Sequence, residues 1–325
     1  MKRFSIIVPA YNAEAHITET VHSIKSAMGR DDEIIIVDDA SQDGTKACVT
    51  EILGPQGRYV RLSKNSGGPA KPRNEGIKIA QGQYIALFDA DDVMLSNKLK
   101  RTAEIFEENP NIGLVFTNFR TIGRTDGTTC DDFLGQYDFI KTLRSRSRNS
   151  FYIINKTEAT QQLAKANYIG TSGVVVPRKI LEDYGYFDET LPNGDDYEMW
   201  LRISRRVSIG YIDEVLHAYR VGGSSISAGG ALKLSPAKIR VLERQLLDPL
   251  DEEFKRDISY WLAQNYKALS REYLHKGDMK AARISALNAF RHRIDGASVK
   301  YFSLSLLGAF AVKGIIRSKK KYFPR

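Results

Sequence analysis

The 325-residue sequence predicts an α/β protein with a mostly parallel sheet, followed by a helical C-terminal region. In the first half, short continuous apolar runs alternate with segments whose apolar residues recur at helical spacing, a pattern typical of a parallel sheet covered by helices. From about Ser235 onward the strand-like runs stop, and small, apolar and aromatic residues recur at helical spacing only. We therefore predict an α/β domain over residues 1–230 and a helical region over residues 231–325.

The first predicted strands end in polar loops. Residues 4–9 (FSIIVP) and 33–37 (EIIIV) are the first two apolar strands, and residues 15–27 between them have the apolar spacing of a helix. Short connections of this kind make the two strands parallel. The second strand ends on Asp38 and Asp39, so both strand ends are predicted to face a ligand at one edge of the sheet.

A glycine- and proline-rich loop follows the third predicted strand. That strand covers residues 59–62, and the loop, residues 65–76, opens a helix. The loop contains neither G-x-G-x-x-G nor G-x-x-x-x-G-K-[ST], which excludes a dinucleotide fingerprint and a P-loop. Lys71 and Arg73 are the cationic residues there that could contact a phosphate or a base.

The next apolar run, residues 84–88 (YIALF), stops on three carboxylates: Asp89, Asp91 and Asp92. In an extended segment, Asp89 and Asp91 would point to the same side and repel each other unless a cation lay between them. Mg²⁺ and Mn²⁺ both suit two aspartates together with a substrate diphosphate. The alternative is an acidic turn that caps a helix starting near Ser96.

The net charge of +9 is concentrated at the C-terminus, because residues 313–325 contain six basic residues and no acidic one. The overlapping apolar run, residues 301–316, is shorter than the roughly 20 residues that cross a bilayer. This composition favours an interfacial helix on an anionic membrane, with a core-docked helix and a solvated tail as the alternative. Cys48 and Cys130 form no disulfide framework and fit a reducing compartment. We expect a cytoplasmic protein, peripheral on the inner face of the cytoplasmic membrane.

Five stretches resemble, in order, the motifs of family 2 glycosyltransferases with the GT-A fold. They are VPAYN (residues 8–12), VDDASQDGT (37–45), NSGGPAKPRNEGI (65–77), FDADD (88–92) and GDDYEMWLRI (194–203). Each match alone is weak evidence, but five ordered matches make chance a poor explanation. The resemblance implies a GT-A fold and a nucleotide-sugar donor, with a UDP-sugar favoured.

The resemblance also implies a role for each matching residue. Those implied to bind the donor are Pro9, Ala10, Tyr11, Asp39, Arg73 and Asp89, with Asp39 facing the uracil. Asp91 and Asp89 match the pair that holds the metal, and Asp92 is a candidate additional ligand. Asp196 matches the general base, although an acid in the first turn of a helix is also favoured by the helix dipole. One base and one metal, without a nucleophilic carboxylate, describe a single displacement that inverts the anomeric centre.

Two stretches differ from the family pattern or carry none of it. Gly222 stands where the family often has a histidine, so Arg220 or the adjoining Gly-Gly loop is a candidate substitute. The middle of the chain, residues 121–165, contains the run LRSRSRN (residues 143–149). Its three arginines either bind the phosphate groups of an acceptor or belong to a solvated loop, and the second interpretation is preferred.

The leading interpretation is a metal-dependent, inverting glycosyltransferase. It would act on a glycan or polyprenyl-diphosphate-linked acceptor in exopolysaccharide or cell-surface glycan biosynthesis. The alternative is a noncatalytic nucleotide-sugar-binding or partner subunit at the membrane, against which the presence of Asp89, Asp91 and Asp196 argues. A nucleic-acid partner, suggested only by the net charge, is not expected because no basic-aromatic pattern occurs outside the tail.

Overall fold

The computed structural model describes residues 2–123, 129–147, 149–222, 231–247 and 251–307. The chain divides into two compact units, Met1–Ser225 and Ile226–Arg325. None of the helices in the described ranges has both the length and the apolar content needed to span a membrane. The basic tail that the sequence associates with a membrane surface lies outside the described residues.

The first unit alternates strands and helices, as predicted. Its strands are β1 (Lys2–Ala10), β2 (Glu33–Asp38), β3 (Gly57–Arg61), β4 (Gly82–Leu87), β5 (Val93–Met94), β6 (Leu114–Ile122), β7 (Phe151–Ile154), β8 (Val175–Pro177) and β9 (Ile209–Arg220). Its helices are α1 (Ile17–Ala27), α2 (Thr45–Ile52), α3 (Ala70–Ile79), α4 (Lys98–Glu108), α5 (Asp138–Arg146), α6 (Lys156–Lys165), α7 (Arg178–Tyr184) and α8 (Asp195–Ser204). Short 3₁₀ turns cover Leu134–Gln136 and Thr171–Gly173.

Within the described residues, these strands form one sheet in the order β3-β2-β1-β4-β8-β6-β9-β5, with β7 paired to β9. The long pairings, among β1 to β4 and between β6 and β9, are parallel. The short strands β5, β7 and β8 pair antiparallel to their neighbours. Strand β2 is buried at every position because helices cover both faces of the sheet. The predicted α/β class with a mostly parallel sheet is confirmed.

Helix α3 begins earlier than the sequence suggests. Residues 70–76 belong to this helix and not to the glycine- and proline-rich loop. Pro72 is tolerated because it lies in the first turn, where backbone N–H groups have no partner within the helix. Gly76 allows close packing on the sheet, since a Cβ atom there would lie 2.7 Å from Cγ2 of Ile7. This packing fixes the position of Arg73 on the same helix.

The second unit is helical. It contains α9 (Ala231–Gln245), α10 (Glu252–Lys276), α11 (Met279–His292) and α12 (Gly296–Leu306). Helix α10 is followed by Gly277, which has a φ of 85°, and the Asp278 side chain accepts from the backbone N–H of Ala281 to cap α11. Lys267 and Asp295 form an ion pair of 2.6 Å that ties α10 to the start of α12.

Gly82 provides a test of the sheet packing. A Cβ atom at Gly82 would lie 2.4 Å from the backbone nitrogen of Ser5 and 2.6 Å from the carbonyl carbon of Phe4. Because both contacts are backbone atoms of β1, Gly82→Ala is expected to lower the free energy of unfolding by about 1–3 kcal/mol. Gly29→Ala is the control, since its Cβ would meet Asp32 Oδ2 at an ordinary 3.5 Å. Equal thermal unfolding midpoints for the two variants would contradict the close β1–β4 approach.

Candidate active site

The parallel strands bring their polar ends together at one edge of the sheet. Tyr11, directly after β1, is 51% exposed and offers an aromatic face. Asp39, directly after β2, is buried, and its backbone N–H donates to the carbonyl of Ala10 at 2.8 Å. The Asp39 carboxylate accepts from the backbone N–H of Ser66 at 2.9 Å and from Ser66 Oγ at 2.9 Å. Asp39 thus joins the loops after β1 and β2 to the loop before α3.

Asp38, beside Asp39, has a different role. Its carboxylate accepts from Tyr59 Oη and, at 2.7 Å, from Arg61 Nη1, both on β3. These partners and the backbone N–H of Ser41 hold the pKa of Asp38 below its usual value although burial opposes them. Asp38 therefore fixes the edge of the sheet, which leaves Asp39 as the acid of this pair that faces the loops.

The residues from Asp89 to Asp92 form a turn, so the extended segment expected from the sequence is wrong. The backbone N–H of Asp92 approaches the carbonyl of Asp89 at 3.4 Å, because the chain reverses where β4 ends. Asp91 is exposed at the tip of this turn. Although the side chain as a whole is exposed, the surrounding loops partly desolvate its carboxylate, and this desolvation and the nearby charge of Asp89 raise the pKa of Asp91.

Two close carboxylates of this kind fit a hard divalent cation. The mutual repulsion that raises the Asp91 pKa would be relieved by a cation between Asp89 and Asp91. The described part of the chain contains no group of three or more histidine, cysteine or acidic residues arranged to hold a metal. A cation held by Asp89 and Asp91 would take further oxygen ligands from a substrate or from water, as is usual for Mg²⁺.

Asp92 lies below this turn and is fully buried. Its Oδ1 accepts from the backbone N–H of Arg220 at 2.9 Å. Burial and the charge of Asp89 raise the pKa of Asp92 well above its usual value. The observed contact joins the turn to the end of β9, while metal ligation by Asp92 stays a prediction.

Arg220 supports the same turn from the other side. Its Nε donates to the carbonyl oxygen of Asp91 at 2.9 Å, and its Nη2 donates to Glu19 Oε2 at 2.6 Å. Arg220, one of the two candidates to replace the missing histidine, thus contacts the acidic turn. Gly222 nearby has a φ of 149°, a backbone conformation that side chains disfavour.

Asp196 lies in the first turn of α8, next to the acidic turn. Its Oδ2 accepts from Thr171 Oγ1 at 3.2 Å, and its Oδ1 accepts from the backbone N–H of Tyr197 at 2.6 Å. Burial and the adjacent charge of Asp195 raise the pKa of Asp196 to about 6, although Arg73 acts in the opposite direction. Such a carboxylate is well suited to accept a proton near neutral pH.

Arg73 connects the two acidic motifs. Its Nη2 donates to Asp89 Oδ1 at 2.7 Å, and its Nη1 donates to Asp195 Oδ2 at 2.8 Å. The guanidinium is buried and lies over the ring of Phe187, with its central carbon 5.3 Å from the ring centroid. The two carboxylates raise the pKa of Arg73 despite its burial. These contacts favour a positioning role, while donor binding by Arg73 stays a prediction.

Several residues of the site were not predicted from the sequence. Asp195 is the partner of Arg73, Ser172 accepts from the backbone N–H of Asp89 at 3.0 Å, and Thr171 contacts Asp196. Asn74, next to Arg73, exchanges two hydrogen bonds of 2.9 Å with the backbone of Phe187. Asn74 and Asp195 lie inside two of the five motifs, whereas Thr171 and Ser172 lie outside all five. In neither case did the local sequence define the contacts that these residues make.

The first two arginines of the run in the middle of the chain lie in a helix and are paired with acids. Arg144 lies in α5 and pairs with Asp132 at 2.7 Å and with Asp213 at 2.5 Å. Arg146, also in α5, pairs with Glu158 at 2.6 Å. The third arginine lies outside the described residues. Arg144 is therefore part of an ion-pair network and neither a solvated side chain nor a free ligand for phosphate. Arg146 is paired with Glu158, but its side chain is 54% exposed, so the interpretation as a solvated residue stays a prediction there.

The fold and site together define a GT-A type of nucleotide-diphospho-sugar fold, with acidic motifs at the ends of parallel strands. The chain belongs to glycosyl transferase family 2, whose family model matches residues 5–183. The match covers four of the five motifs recognised in the sequence and ends before the fifth, which contains Asp196.

Curated relatives carry glycosyltransferase names. An uncharacterized glycosyltransferase of Rickettsia felis is 30% identical over 78% of this chain, which spans only 38% of that protein's length. The putative teichuronic acid biosynthesis glycosyltransferase TuaG of Bacillus subtilis is 30% identical over 69% of this chain and 81% of its own length. The Escherichia coli UDP-Glc:alpha-D-GlcNAc-diphosphoundecaprenol beta-1,3-glucosyltransferase WfgD is 28% identical over 74% of this chain and 83% of its own length.

Solved structures support the fold. Staphylococcus aureus TarS residues 1–349 in complex with UDP superposes with a TM-score of 0.64, covering 93% of this chain and 90% of TarS 1–349. The two sequences are 18% identical, so this similarity bears on the fold and not on the substrate. The predicted GT-A fold is confirmed.

Proposed function

We propose that this protein is an inverting glycosyltransferase that transfers a sugar from a UDP-sugar to a glycan or lipid-linked acceptor. The observation that carries the proposal is the buried Arg73 bridge, because it holds the Asp89 turn and the Asp195–Asp196 pair next to each other. Family membership and the names of TuaG and WfgD support this class of reaction. Residues 1–230 would carry the activity.

The residues of the strand-end loops would bind the nucleotide. Tyr11 offers its exposed ring to the base, with Pro9 and Ala10 shaping the same loop, and Asp39 would face the uracil. Asp89 and Asp91 would hold Mg²⁺ or Mn²⁺, which stabilises the negative charge on the leaving diphosphate. Asp92 is the candidate additional ligand. Arg73 keeps Asp89 oriented and does not need to reach the donor for this purpose.

Asp196 would act as the general base. Its carboxylate would take the proton from the acceptor hydroxyl as that oxygen attacks the anomeric carbon from the face opposite the leaving group. Thr171 orients one carboxylate oxygen, and Asp195 is held by Arg73 and is not free for this role. A single attack without a covalent enzyme intermediate inverts the anomeric centre.

The acceptor is proposed from the relatives and from the composition of the chain. TuaG and WfgD are named for teichuronic acid biosynthesis and for transfer to a diphosphoundecaprenol-linked sugar. We extend this to exopolysaccharide or cell-surface glycan biosynthesis on the cytoplasmic side of the membrane. The basic tail, residues 313–325, would contact the anionic membrane that contains such an acceptor.

The direct test is release of nucleoside diphosphate from a panel of UDP- and GDP-sugars, with membrane lipid extract as acceptor. Turnover is expected with one UDP-sugar, only when Mg²⁺ or Mn²⁺ is present, and is lost with a chelator. Asp91→Ala is expected to lower turnover at least about a hundredfold, because the cation loses a ligand. Asp138→Ala, whose side chain is 86% exposed on α5, is the matched control.

Two results of this test would reject the proposal. If a nucleotide sugar binds but is not turned over with any acceptor, the protein is a noncatalytic nucleotide-sugar-binding or partner subunit. If no nucleotide sugar binds, the strand-end loops have another ligand and the assignment of their residues is wrong.

The raised pKa of Asp196 predicts the pH dependence of transfer. A general base works only when deprotonated, and burial raises the Asp196 pKa from 3.8 to about 6. The value of kcat/KM is therefore expected to fall about tenfold per pH unit below pH 6 and to level off above it. Donor affinity measured over the same range separates this effect from titration of Asp91. A profile that stays flat down to pH 5 would contradict the assignment.

A further inference from the structure

Exposed apolar side chains are concentrated in the last two described helices and in the residues directly after each of them. Six large apolar residues between residues 284 and 307 are exposed, by 43% to 74%: Ile284, Leu287, Ile294, Val299, Leu306 and Leu307. Elsewhere in the described ranges, a similar number of such residues is scattered over more than 250 positions. Single exposed apolar residues are ordinary, but a cluster in one short segment indicates a surface that meets a partner.

Helix α11 carries the clearest part of this cluster. Lys280, Ile284, Leu287 and Arg291 follow each other at spacings of four, three and four residues, so they lie along one face of the helix, and all four are exposed. We refer to these four residues as the outer face of α11. It consists of two apolar side chains with a basic residue one turn before and one turn after them.

The orientation of this face is fixed by packing. The opposite face of α11 is buried and consists of small residues: Ala282, Ser285, Ala286 and Ala289. On this side Ser270 Oγ of α10 donates to the carbonyl of Ala282 at 2.8 Å. Because the small residues allow close helix packing, Ile284 and Leu287 cannot turn inward without breaking the α10–α11 contact.

Helix α12 carries further exposed apolar side chains. Its position on α11 is fixed by the contact of the Phe290 and Phe302 rings, whose centroids are 5.6 Å apart, and by Arg283 Nη2, which donates to the carbonyl of Ser305 at 3.0 Å. Val299 and Leu306, two turns apart on α12, are both exposed. Leu307 follows directly and is exposed as well, at the end of the described chain.

The charges around these helices have one sign. From residue 279 to the C-terminus the sequence contains eleven lysines and arginines and one acid, Asp295. That acid is already paired with Lys267 at 2.6 Å. A partner for this surface therefore has to combine negative charge with an apolar interior. A second copy of the chain fits poorly, because it would bring the same basic residues against each other.

We propose that the outer face of α11 docks on an anionic lipid bilayer. Ile284 and Leu287 enter the boundary between headgroups and acyl chains, and Lys280 and Arg291 meet the lipid phosphates. A helix with an apolar stripe flanked by basic residues has this interfacial geometry. The inference goes beyond the contact proposed for the tail, since it assigns docking to described residues of a folded helix, and it does not depend on transferase activity.

The test is sedimentation of the full chain with vesicles. The protein is expected to bind vesicles of equal parts phosphatidylcholine and phosphatidylglycerol and not to bind vesicles of pure phosphatidylcholine. Added salt is expected to release the bound protein. Ile284→Ser combined with Leu287→Ser is expected to lower the partition coefficient about tenfold. Lys280→Gln and Arg291→Gln are each expected to lower it about fivefold. Ile153→Ser, at a residue 56% exposed on β7, is the matched control and should bind as the parent does.

Three results would overturn the proposal. The first is that the parent protein does not bind the anionic vesicles. The second is that the double serine variant binds as well as the parent, which would place the contact on the tail alone. The third is that light scattering shows a dimer of the parent that the double variant does not form, which would make the face a contact between copies. UDP binding and thermal unfolding of each variant verify that it is folded. If the protein binds UDP but no vesicles, only the docking proposal is rejected. If it binds vesicles but not UDP, only the proposed transfer function is rejected.

Discussion

Asp196→Asn is expected to lower the rate of sugar transfer about 10²- to 10⁴-fold while donor affinity is unchanged. Asparagine has nearly the same shape, and its amide oxygen can still accept from Thr171 Oγ1 or from the backbone N–H of Tyr197. It cannot take a proton from the acceptor hydroxyl at neutral pH. Steady-state transfer assays and calorimetric titration with the donor measure the two quantities separately.

The control for this prediction is Asp138→Asn, an exposed acid in the first turn of α5. It matches Asp196 in residue type and in helix position but lies on the surface, so transfer should be unchanged. If Asp196→Asn retains transfer at the parent rate, the base is another group. If it loses donor binding together with transfer, Asp196 belongs to the donor pocket.

The choice between Asp195 and Asp196 shows what the structure adds to the sequence. Both residues stand at the start of the same predicted helix, and the sequence distinguished them only by resemblance to the family motif. In the structure, Asp195 is buried and held by Arg73 at 2.8 Å, whereas Asp196 is half-buried and bound by a hydroxyl. Because an oxygen of Asp195 already accepts from the Arg73 guanidinium, Asp196 is the stronger candidate for the general base.

The strands of the first unit were predictable because each is a continuous apolar run that ends on polar residues. Residues 33–37, predicted as a strand, correspond to β2 (Glu33–Asp38), and residues 84–88 to β4 (Gly82–Leu87). Buried parallel strands have this local signature, which needs no knowledge of distant residues. The ends of the strands were predictable for the same reason, and with them the positions of Asp39 and Asp89.

Contacts between distant elements were not predictable. Arg73 and Asp195 are 122 positions apart, and Arg144 pairs with Asp213 from a strand 69 positions later. Neither pair has a local sequence pattern, because the partners meet only after the sheet is assembled. The alternating arginines around Arg144 favoured a solvated loop in the sequence analysis. In the structure, Arg144 pairs with Asp132 and Asp213 and so belongs to an ion-pair network.

Arg73→Gln is expected to reduce both stability and catalysis. Glutamine removes the charge that Asp195 and Asp89 share, and it leaves Asp195 buried without a cation. Breaking a buried pair in this way costs about 3–5 kcal/mol of the free energy of unfolding. Arg73→Lys keeps the charge, but a single ammonium group cannot donate in the fork geometry that joins the two carboxylates, so an intermediate loss is expected.

A positioning role for Arg73 predicts more than loss of stability. Arg73 lowers the Asp196 pKa, so its removal should shift the acidic limb of the kcat/KM profile to higher pH. Arg58→Gln, which removes a partly exposed pair with Glu33, is the control and should leave the profile in place. Combining Arg73→Gln with Asp195→Asn should destabilise less than the sum of the single changes, because the two groups interact directly. An unshifted profile together with additive effects on stability would show that Arg73 acts neither on the base nor through Asp195.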